Sequence, residues 1–197
     1  MDYPSMPLPP MGRMMVFIDG ENLVARFQAM RDLGRVPTSE VSHRKDVYAW
    51  SLGSVHPWLN VVDRATYYTY TTGDAAQVQA VSLEIQALKF TQLQLPGPVM
   101  NLPLGNNLYP RVFVKPKNRP GKGVDIQMTV DILCNTYQNN LDVVYLVSGD
   151  GDYEPLIGEC QRRGKQVVVA ALSSGLSSKL RLIADRFVDL DNYYFAA

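Results

Sequence analysis

The sequence predicts an α/β fold built on a mainly parallel sheet of five or six strands. Short apolar, β-branched runs alternate along the chain with longer segments whose apolar residues recur at helical spacing. Two of the runs, VVYLV and VVVAAL, are continuously apolar, as expected for strands buried on both faces of a parallel sheet. The chain has 197 residues, of which 46% are hydrophobic and 19% charged, and this composition suits one globular domain.

The predicted elements follow one another in β-α order. Residues 14–18 form a first strand, and residues 22–32 form a helix in which Leu23, Phe27 and Met30 recur at helical spacing. The other predicted elements are strands at 65–70, 111–114, 143–147, 167–172 and 187–190, and helices at 75–93, 124–137, 155–163 and 177–185. The apolar stripe of the helix at 124–137 is assigned to Ile126, Val130, Leu133 and Tyr137.

Three segments do not fit this alternation. Residues 1–12 carry four prolines and are predicted to form a disordered tail, which leaves residues 13–197 as a single domain. Residues 34–63 mix polar residues with Tyr48, Trp50 and Trp58, and we interpret them as an inserted helix and loop. The residues near 95–110 are rich in Pro, Gly and Asn and are predicted to form a second inserted loop.

We expect a cytoplasmic protein with no membrane partner. No run approaches the roughly 18 apolar residues that span a bilayer, and the N-terminal residues do not resemble a signal peptide. Cys134 and Cys160 fall in separate predicted helices without zinc-type spacing, and they are interpreted as reduced packing residues. The C-terminal aromatic residues Tyr193, Tyr194 and Phe195 either pack on the sheet or form the association surface of a homo-oligomer.

The net charge is zero, with 19 basic and 19 acidic residues, so overall charge does not attract nucleic acid to this chain. The basic residues are unevenly distributed, however. The segment 111–122 contains five of them and no acid, and Lys115, Lys117, Arg119 and Lys122 form a candidate strip for binding the phosphates of RNA. The alternative is a solvated loop that Pro116 and Pro120 interrupt.

Asp19, Asp125, Asp150 and Asp152 stand where predicted strands end or a predicted helix begins. Asp19 follows the first strand in MMVFIDGEN, Asp150 and Asp152 follow the central strand in VYLVSGDGDYEPL, and Asp125 opens the third helix. In an open parallel sheet this placement brings carboxylates to the edge where ligands bind. Carboxylates a few Å apart raise one another's pKa, and Mg²⁺ or Mn²⁺ is the usual partner of such all-oxygen clusters. The sequence therefore predicts a site for Mg²⁺ or Mn²⁺.

Each acid also has a structural explanation on its own. Asp19 and Asp152 can serve as helix N-caps, and the helix dipole can favour Asp125. Asp150 is harder to explain as a structural residue. Separate caps do not explain why strand ends from opposite parts of the chain deliver acids to one edge.

Several neighbouring residues receive secondary roles. Asn22 is a second N-cap or ligand candidate, and Ser148 either hydrogen-bonds an acid or caps its own turn. Asp131 follows Asp125 by six residues, which is about 240° around a helix, so the two should not share a metal ion. The two histidines, His43 and His56, are expected to be surface residues of the 34–63 insertion.

Longer segments of the chain resemble the NYN domain, a branch of the PIN-like nucleases. They are IDGENL, KGVDIQMTVDIL and VYLVSGDGDYEPLIGECQRRGKQVVV, followed by GLSSKLRLIADRFVDLD. The resemblance spans roughly residues 14–192 and is most specific at 14–22 and 121–191. It implies a PIN-like Rossmannoid fold with three α/β/α layers, whose metal-binding and catalytic acids match Asp19, Asp125, Asp150 and Asp152. Glu21 lies outside the shared pattern, and the insertions depart from a minimal NYN domain.

The first functional hypothesis is therefore a Mg²⁺- or Mn²⁺-dependent ribonuclease, in which the ion activates the attacking water and offsets charge on the phosphorane. The resemblance implies products with a 5′-phosphate and a 3′-hydroxyl. The alternative is an RNA-binding or regulatory scaffold module that keeps the fold but has weak catalysis. A haloacid-dehalogenase-type phosphatase is disfavoured, because the segment after Asp19 does not supply a second Asp at the required spacing.

Overall fold

Eight strands and six α-helices are formed by the described residues of this computed structural model, which are 11–58, 60–92, 106–115 and 123–196. The strands are β1 (Gly12–Asp19), β2 (Ser42–Arg44), β3 (Tyr48–Trp50), β4 (Asn60–Thr71), β5 (Tyr109–Val114), β6 (Val143–Val147), β7 (Gln166–Ala171) and β8 (Arg186–Asp189). The helices are α1 (Gly20–Asp32), α2 (Ala75–Ala87), α3 (Val124–Tyr137), α4 (Glu154–Arg162), α5 (Ser178–Ile183) and α6 (Asp191–Tyr194).

Six of the strands form one parallel sheet in the order β5, β4, β1, β6, β7, β8. The predicted α/β fold with a sheet of five or six strands is therefore confirmed. β1 pairs with β4 on one side and with β6 on the other, so the strand order reverses between β1 and β6. Open parallel sheets form a crevice at the carboxyl ends of the strands at such a point. Asp19 and Ser148 stand on its two sides.

Two apolar clusters cover the two faces of the sheet. Successive side chains of a strand point to opposite faces, so β1 contributes Val16 and Ile18 to one cluster and Phe17 to the other. Helices α1 and α2 bury residues in the first cluster, and α3, α4 and α5 bury residues in the second. The helices thus lie on both sides of the sheet, which confirms the three α/β/α layers. None of the helices in the described part of the chain is long and apolar enough to cross a membrane.

The 34–63 insertion contains a β-hairpin, and the predicted inserted helix is wrong. β2 and β3 pair in antiparallel fashion, a 3₁₀ turn follows at Leu52–Ser54, and β4 begins at Asn60. Strands of three residues are too short to show the alternation that identifies a strand in a sequence. The hairpin packs on β4, where the Thr69 hydroxyl donates a hydrogen bond of 2.6 Å to the Val47 carbonyl.

Two of the other predicted bounds differ from the structure by five residues or more. β4 begins five residues before the predicted start at 65. Asp63 and Arg64 are consecutive exposed charged residues, so they interrupt the apolar pattern from which a strand is predicted. The pairing with β1 shifts at this point, as expected for a β-bulge. The helix predicted at 75–93 ends at Ala87. Most of the predicted 95–110 loop lies outside the described residues, as do residues 1–10 of the predicted tail, and β1 begins at Gly12.

Helix α3 faces the core with a stripe different from the predicted one. Val124, Met128, Ile132 and Thr136 are buried, whereas Ile126 is 69% exposed. Val130 and Tyr137, two other members of the predicted stripe, are also exposed. Both sets are spaced like one face of a helix, so periodicity alone does not choose between them. Tertiary contacts decide which stripe faces the core. The Val124 N–H donates a hydrogen bond to the buried Tyr70 hydroxyl at 3.1 Å, and this contact fixes the start of the helix.

The C-terminal aromatic residues pack against the first cluster. Tyr194 and Phe195 are buried, and their rings lie 6.0 and 5.3 Å from the ring of Phe27 in α1. The Tyr194 hydroxyl is also 2.8 Å from the Ser54 hydroxyl at the end of the 3₁₀ turn in the insertion. Of the two predicted roles, these contacts correspond to packing. The possible homo-oligomer stays a prediction.

Gly20 allows α1 to begin directly against β4. A Cβ atom at this position would lie 2.3 Å from Tyr67 Cε1 and 2.5 Å from the Tyr68 carbonyl oxygen. We expect Gly20→Ala to lower the free energy of unfolding by about 1–3 kcal/mol, because the buried Tyr67 ring cannot move without disturbing the core. Urea denaturation measures the change.

Gly158→Ala is the matched control for this substitution. Gly158 lies within α4, and its added Cβ would meet only Arg162 Nη1 at 3.5 Å. Because Ala favours helix more than Gly, this variant should be as stable as the wild type or more stable by up to about 1 kcal/mol. Equal stability of Gly20→Ala and the wild type would show that α1 does not approach β4 this closely.

Candidate functional site

Asp19 is the buried centre of the candidate site. It ends β1 and is the N-cap of α1, where its Oδ1 accepts a hydrogen bond of 3.0 Å from the Asn22 N–H. The structural explanation of Asp19 as a cap is therefore realised, and Asn22 is not the N-cap. The other oxygen, Oδ2, accepts hydrogen bonds from the hydroxyls of Ser148 at 3.0 Å and Tyr153 at 3.4 Å. Both carboxylate oxygens therefore accept hydrogen bonds from neighbouring groups, which restrict how the side chain can rotate.

Burial raises the pKa of Asp19 from 3.8 to about 6, and the nearby charges of Asp125 and Asp150 act in the same direction. The hydrogen bonds from Asn22 and Ser148 oppose this effect but are weaker than desolvation. Asp19 as a whole residue is only 3% exposed. No Lys, Arg or His lies within ion-pair distance of it among the described residues. The negative charge of Asp19 is therefore not neutralised by any of the described residues.

Ser148 and Asn22 connect the ends of β1 and β6. The Ser148 hydroxyl donates to Asp19 and accepts a hydrogen bond from the Asp150 N–H at 3.2 Å. Asn22 reaches from α1 in the opposite direction, since its Oδ1 accepts a hydrogen bond from the Gly149 N–H at 3.1 Å. Ser148 therefore fills both of its predicted roles, and Asn22 holds the loop after β6 in place.

Asp150 and Asp152 exchange the structural roles that the sequence suggested. Asp150 is the N-cap of the 3₁₀ turn at Gly151–Tyr153, and its Oδ1 accepts a hydrogen bond of 3.0 Å from the Asp152 N–H. The residue before α4 is Tyr153, so Asp152 does not cap that helix. Both aspartates are exposed. The free oxygen of Asp150 and the whole carboxylate of Asp152 are open to solvent.

Asp125 lies in the first turn of α3 and is exposed at the same edge. Desolvation raises its pKa first, followed by the charges of Glu21, Asp150 and Asp152. A shallow cavity between α3 and the loop after β6 is lined by Asp125, Asp150 and Asp152 together. The four aspartates that the sequence singled out therefore lie at one edge, where Asp125 and Asp150 act on Asp19, and Asp150 and Asp152 act on Asp125.

The donor set suits a hard divalent cation. The described residues contain no group of three or more His, Cys, Asp or Glu side chains arranged around one metal position. Mg²⁺ does not require such a cage, because it keeps several waters and is usually bound through one or two carboxylates together with substrate phosphates. Carboxylates that raise one another's pKa without a cationic partner in the described protein are consistent with an ion of this kind.

Tyr153 and Glu21 are two neighbours that the sequence did not predict as part of the site. Tyr153 is buried and donates to Asp19, and the charges around it add to desolvation in raising its pKa. Glu21 pairs with Lys115 across 3.3 Å, which places the first lysine of the predicted basic strip at the acidic edge. The positions of Lys117, Arg119 and Lys122 lie outside the described residues.

The residues set aside in the sequence lie elsewhere in the fold. Asp131 accepts a hydrogen bond from Tyr68 at 2.8 Å and pairs with Arg111, away from Asp125. The histidines are half-buried, not surface residues, and burial lowers the pKa of both. Cys160 is a buried, reduced packing residue as predicted. Cys134 is also reduced, but it is exposed, so the packing role predicted for it is wrong.

Comparison with solved structures finds a similar fold in a protein of unknown function from Vibrio parahaemolyticus. The TM-score is 0.60 at 20% identity, and the alignment covers 97% of this chain and 100% of that one. An uncharacterized protein of Methanocaldococcus jannaschii is 34% identical over 67 residues, which are 34% of this chain and 28% of that protein. This chain thus matches less than a third of that relative's length.

The family comparison covers much more of the chain. The family model of the NYN domain matches residues 13–191, which include all six strands of the sheet except the first residue of β1. The same range contains all four aspartates of the candidate site. The protein belongs to the NYN domain family, whose fold is nuclease-like.

Proposed function

We propose that this protein is a divalent-metal-dependent ribonuclease that hydrolyses phosphodiester bonds of RNA. The observation that carries the proposal is the buried Asp19 carboxylate, which no described Lys, Arg or His neutralises, at the point where the strand order reverses. Asp125, Asp150 and Asp152 lie at the same edge. Membership in a nuclease-like family supports the same assignment. The expected ion is Mg²⁺ or Mn²⁺.

Asp19, Asp125, Asp150 and Asp152 would hold the ion, directly or through its waters. When bound, a divalent ion lowers the pKa of a water and stabilises negative charge on phosphate oxygens. Asp125, Asp150 and Asp152 are exposed and therefore accessible to an RNA strand. Asp19 is buried and would contact the ion from the protein side of the site.

The chain's own contribution is to fix this carboxylate. The Ser148 and Tyr153 hydroxyls donate to Asp19 Oδ2, and the Asn22 N–H donates to Oδ1, so the carboxylate cannot rotate without losing hydrogen bonds. Catalytic groups that neighbouring side chains hold in place need less reorganisation during the reaction. The Asn22 contact with Gly149 N–H adds a link to the loop that carries Asp150.

Lys115 supports an RNA partner at this edge. It follows β5 directly, and its Nζ lies 3.3 Å from Glu21 and 5.7 Å from the centre of the Tyr70 ring. A cation in this position can neutralise a phosphate that flanks the cleaved bond. Lys117, Arg119 and Lys122 follow in the sequence and are proposed to extend this contact.

Cleavage of end-labelled RNA and of DNA with the same sequence tests the proposal. Purified protein should degrade the RNA when Mg²⁺ or Mn²⁺ is present and should leave it intact when a chelator is added. Cleavage of DNA at an equal rate would show that the enzyme is a nuclease without preference for RNA. If RNA stays intact with both ions, the enzymatic assignment is wrong.

A second candidate is an RNA-binding or regulatory scaffold module with weak catalysis. Two observations favour it. The described acids do not converge on a single metal position, and one carboxylate oxygen of Asp150 already accepts a hydrogen bond from the Asp152 N–H. RNA binding without metal-dependent cleavage in the same assay would support this candidate.

A further inference from the structure

A polar cavity of about 540 Å³ lies beside the acidic edge. The turn of the inserted hairpin forms one wall, the end of β4 and the start of α2 form another, and Glu21 and Lys115 close it toward the acids. The side chains used in the argument are those of Glu21, Arg44, Lys45, Asp46, Tyr70 and Lys115. The volume falls within the range of about 300–1,000 Å³ that is typical of sites for small ligands.

The hairpin wall is held in place before any ligand binds. Gln28 of α1 accepts a hydrogen bond from the Asp46 N–H at 3.0 Å and donates one to the Asp46 carboxylate at 2.9 Å. The Val47 carbonyl accepts a hydrogen bond from Thr69 of β4. These contacts hold Asp46 with a positive φ of 58° at the tip of the turn. A wall that is already ordered costs less entropy when it binds a ligand.

The cavity lies next to the candidate active site. Glu21 lies two residues after Asp19, and Lys115 is paired with it. Tyr70 lines the cavity, and its hydroxyl accepts a hydrogen bond from the N–H of Val124, the residue before Asp125. A strand whose phosphate lies at the aspartates can therefore place a neighbouring nucleotide in this cavity.

The charges of the cavity suit a nucleotide better than an apolar ligand. Arg44 and Lys115 already have carboxylate partners in Glu84 and Glu21, whereas Lys45 is exposed and has no carboxylate within ion-pair distance among the described residues. A lysine in this state is available to a phosphate. The Asp46 and Glu21 carboxylates can accept hydrogen bonds from a base amino group or a ribose 2′-hydroxyl.

We infer that this cavity binds one nucleotide of the RNA, adjacent to the phosphodiester that lies at the aspartates, with Lys45 contacting its phosphate. The inference rests on the proposed function and adds the inserted hairpin to it as a substrate-binding element. The hairpin supplies Arg44, Lys45 and Asp46, so this subsite depends on an insertion that departs from the minimal domain.

Fluorescence anisotropy with labelled single-stranded RNA in the presence of a chelator tests the subsite without requiring cleavage. Lys45→Glu should weaken RNA binding about tenfold and lower the slope of log affinity against log salt by about 1. Lys89→Glu is the matched control, because Lys89 is also exposed and lies outside the cavity. Equal affinities of Lys45→Glu and Lys89→Glu would overturn the inference.

Two further measurements locate the nucleotide. RNA carrying a photoreactive thiouridine should cross-link to peptides from the hairpin turn in the wild type and much less in Lys45→Glu; cross-links confined to other peptides contradict the subsite. A nucleoside monophosphate should compete with RNA more strongly than inorganic phosphate does. Equal competition by the two compounds would show that the cavity recognises only phosphate, which contradicts nucleotide binding.

The failure of this inference differs from that of the proposed function. If the wild type cleaves RNA while Lys45→Glu binds and cleaves it normally, the subsite is wrong and the ribonuclease assignment stands. If the wild type binds RNA through Lys45 but cleaves nothing, the subsite stands as an RNA-binding site and the enzymatic assignment fails. In an active enzyme, Lys45→Glu should raise KM and leave kcat nearly unchanged, because Lys45 does not line the cavity that Asp125, Asp150 and Asp152 form.

Discussion

Asp19→Asn and Asp150→Asn should each reduce metal-dependent RNA cleavage by a factor on the order of 10² to 10³. Both substitutions keep the size of the side chain and remove one negative charge from the acidic edge. The two aspartates contribute differently, since Asp19 is buried and fixed by three hydrogen bonds whereas Asp150 is exposed. Initial rates with end-labelled RNA in Mn²⁺ measure the effect.

Asp32→Asn is the matched control for the loss of cleavage. Asp32 is an exposed aspartate at the end of α1, and its ion-pair partner among the described residues is its neighbour Arg31, so this variant should cleave like the wild type. Calorimetric titration with Mn²⁺ separates loss of the ion from loss of chemistry. Wild-type rates in both Asp19→Asn and Asp150→Asn would remove these residues from the proposed mechanism.

Asp19→Asn should also stabilise the protein at neutral pH when a chelator is present. The pKa of Asp19 is about 6 in the folded protein and near 3.8 when the chain is unfolded, so the native state binds more protons between these values. Wild-type stability should therefore fall as the pH rises from about 4 to 6, by roughly 3 kcal/mol in total from this group. The variant carries no ionisable group at this position and avoids that loss.

Urea denaturation of both proteins at several pH values measures this difference. The free energy of unfolding of Asp19→Asn relative to the wild type should grow between pH 4 and pH 7 and then become constant. Asp32→Asn again serves as the control, since it also removes one aspartate charge but at an exposed position. A constant difference across the whole range would show that Asp19 is not destabilised by ionisation in the folded state.

Adding Mn²⁺ should reduce the stability advantage that Asp19→Asn has over the wild type in chelator. An ion that binds the folded wild type stabilises it by mass action, whereas the variant has lost one of the carboxylates that attract the ion. The stability advantage of Asp19→Asn at pH 7 should therefore shrink as the Mn²⁺ concentration rises. An advantage that is independent of Mn²⁺ would indicate that Asp19 repels its neighbours without contributing to an ion site.

Most of the sheet and its order of elements could be predicted from the sequence, because long apolar runs and helical periodicity are local signals. β6 and α3 have the predicted bounds, and the strand ends place Asp19 and Ser148 on one edge. The hairpin of the insertion could not be predicted, because its two strands have three residues each. Its position depends on Thr69 and Gln28, which are distant in the sequence.

The roles of Asp150 and Asp152 show the limit of sequence reasoning most directly. A cap is defined by which side-chain oxygen reaches which N–H, and the residue pattern permits either aspartate to be the one. The fold chooses Asp150, whose Oδ1 accepts from the Asp152 N–H while its own N–H donates to Ser148. The same holds for α3, where the hydrogen bond from Val124 to Tyr70 selects the buried stripe.

The sequence by itself therefore determined the fold class, the family resemblance and the set of acids at the carboxyl edge of the sheet. These properties follow from local patterns and from the rule that parallel strands end at one edge. Only the tertiary structure decided that Asp19 is buried, that Tyr153 donates to it, and that the inserted hairpin forms a cavity beside it. Burial, hydrogen-bond partners and cavities arise from contacts between residues far apart in the chain, which a linear pattern does not encode.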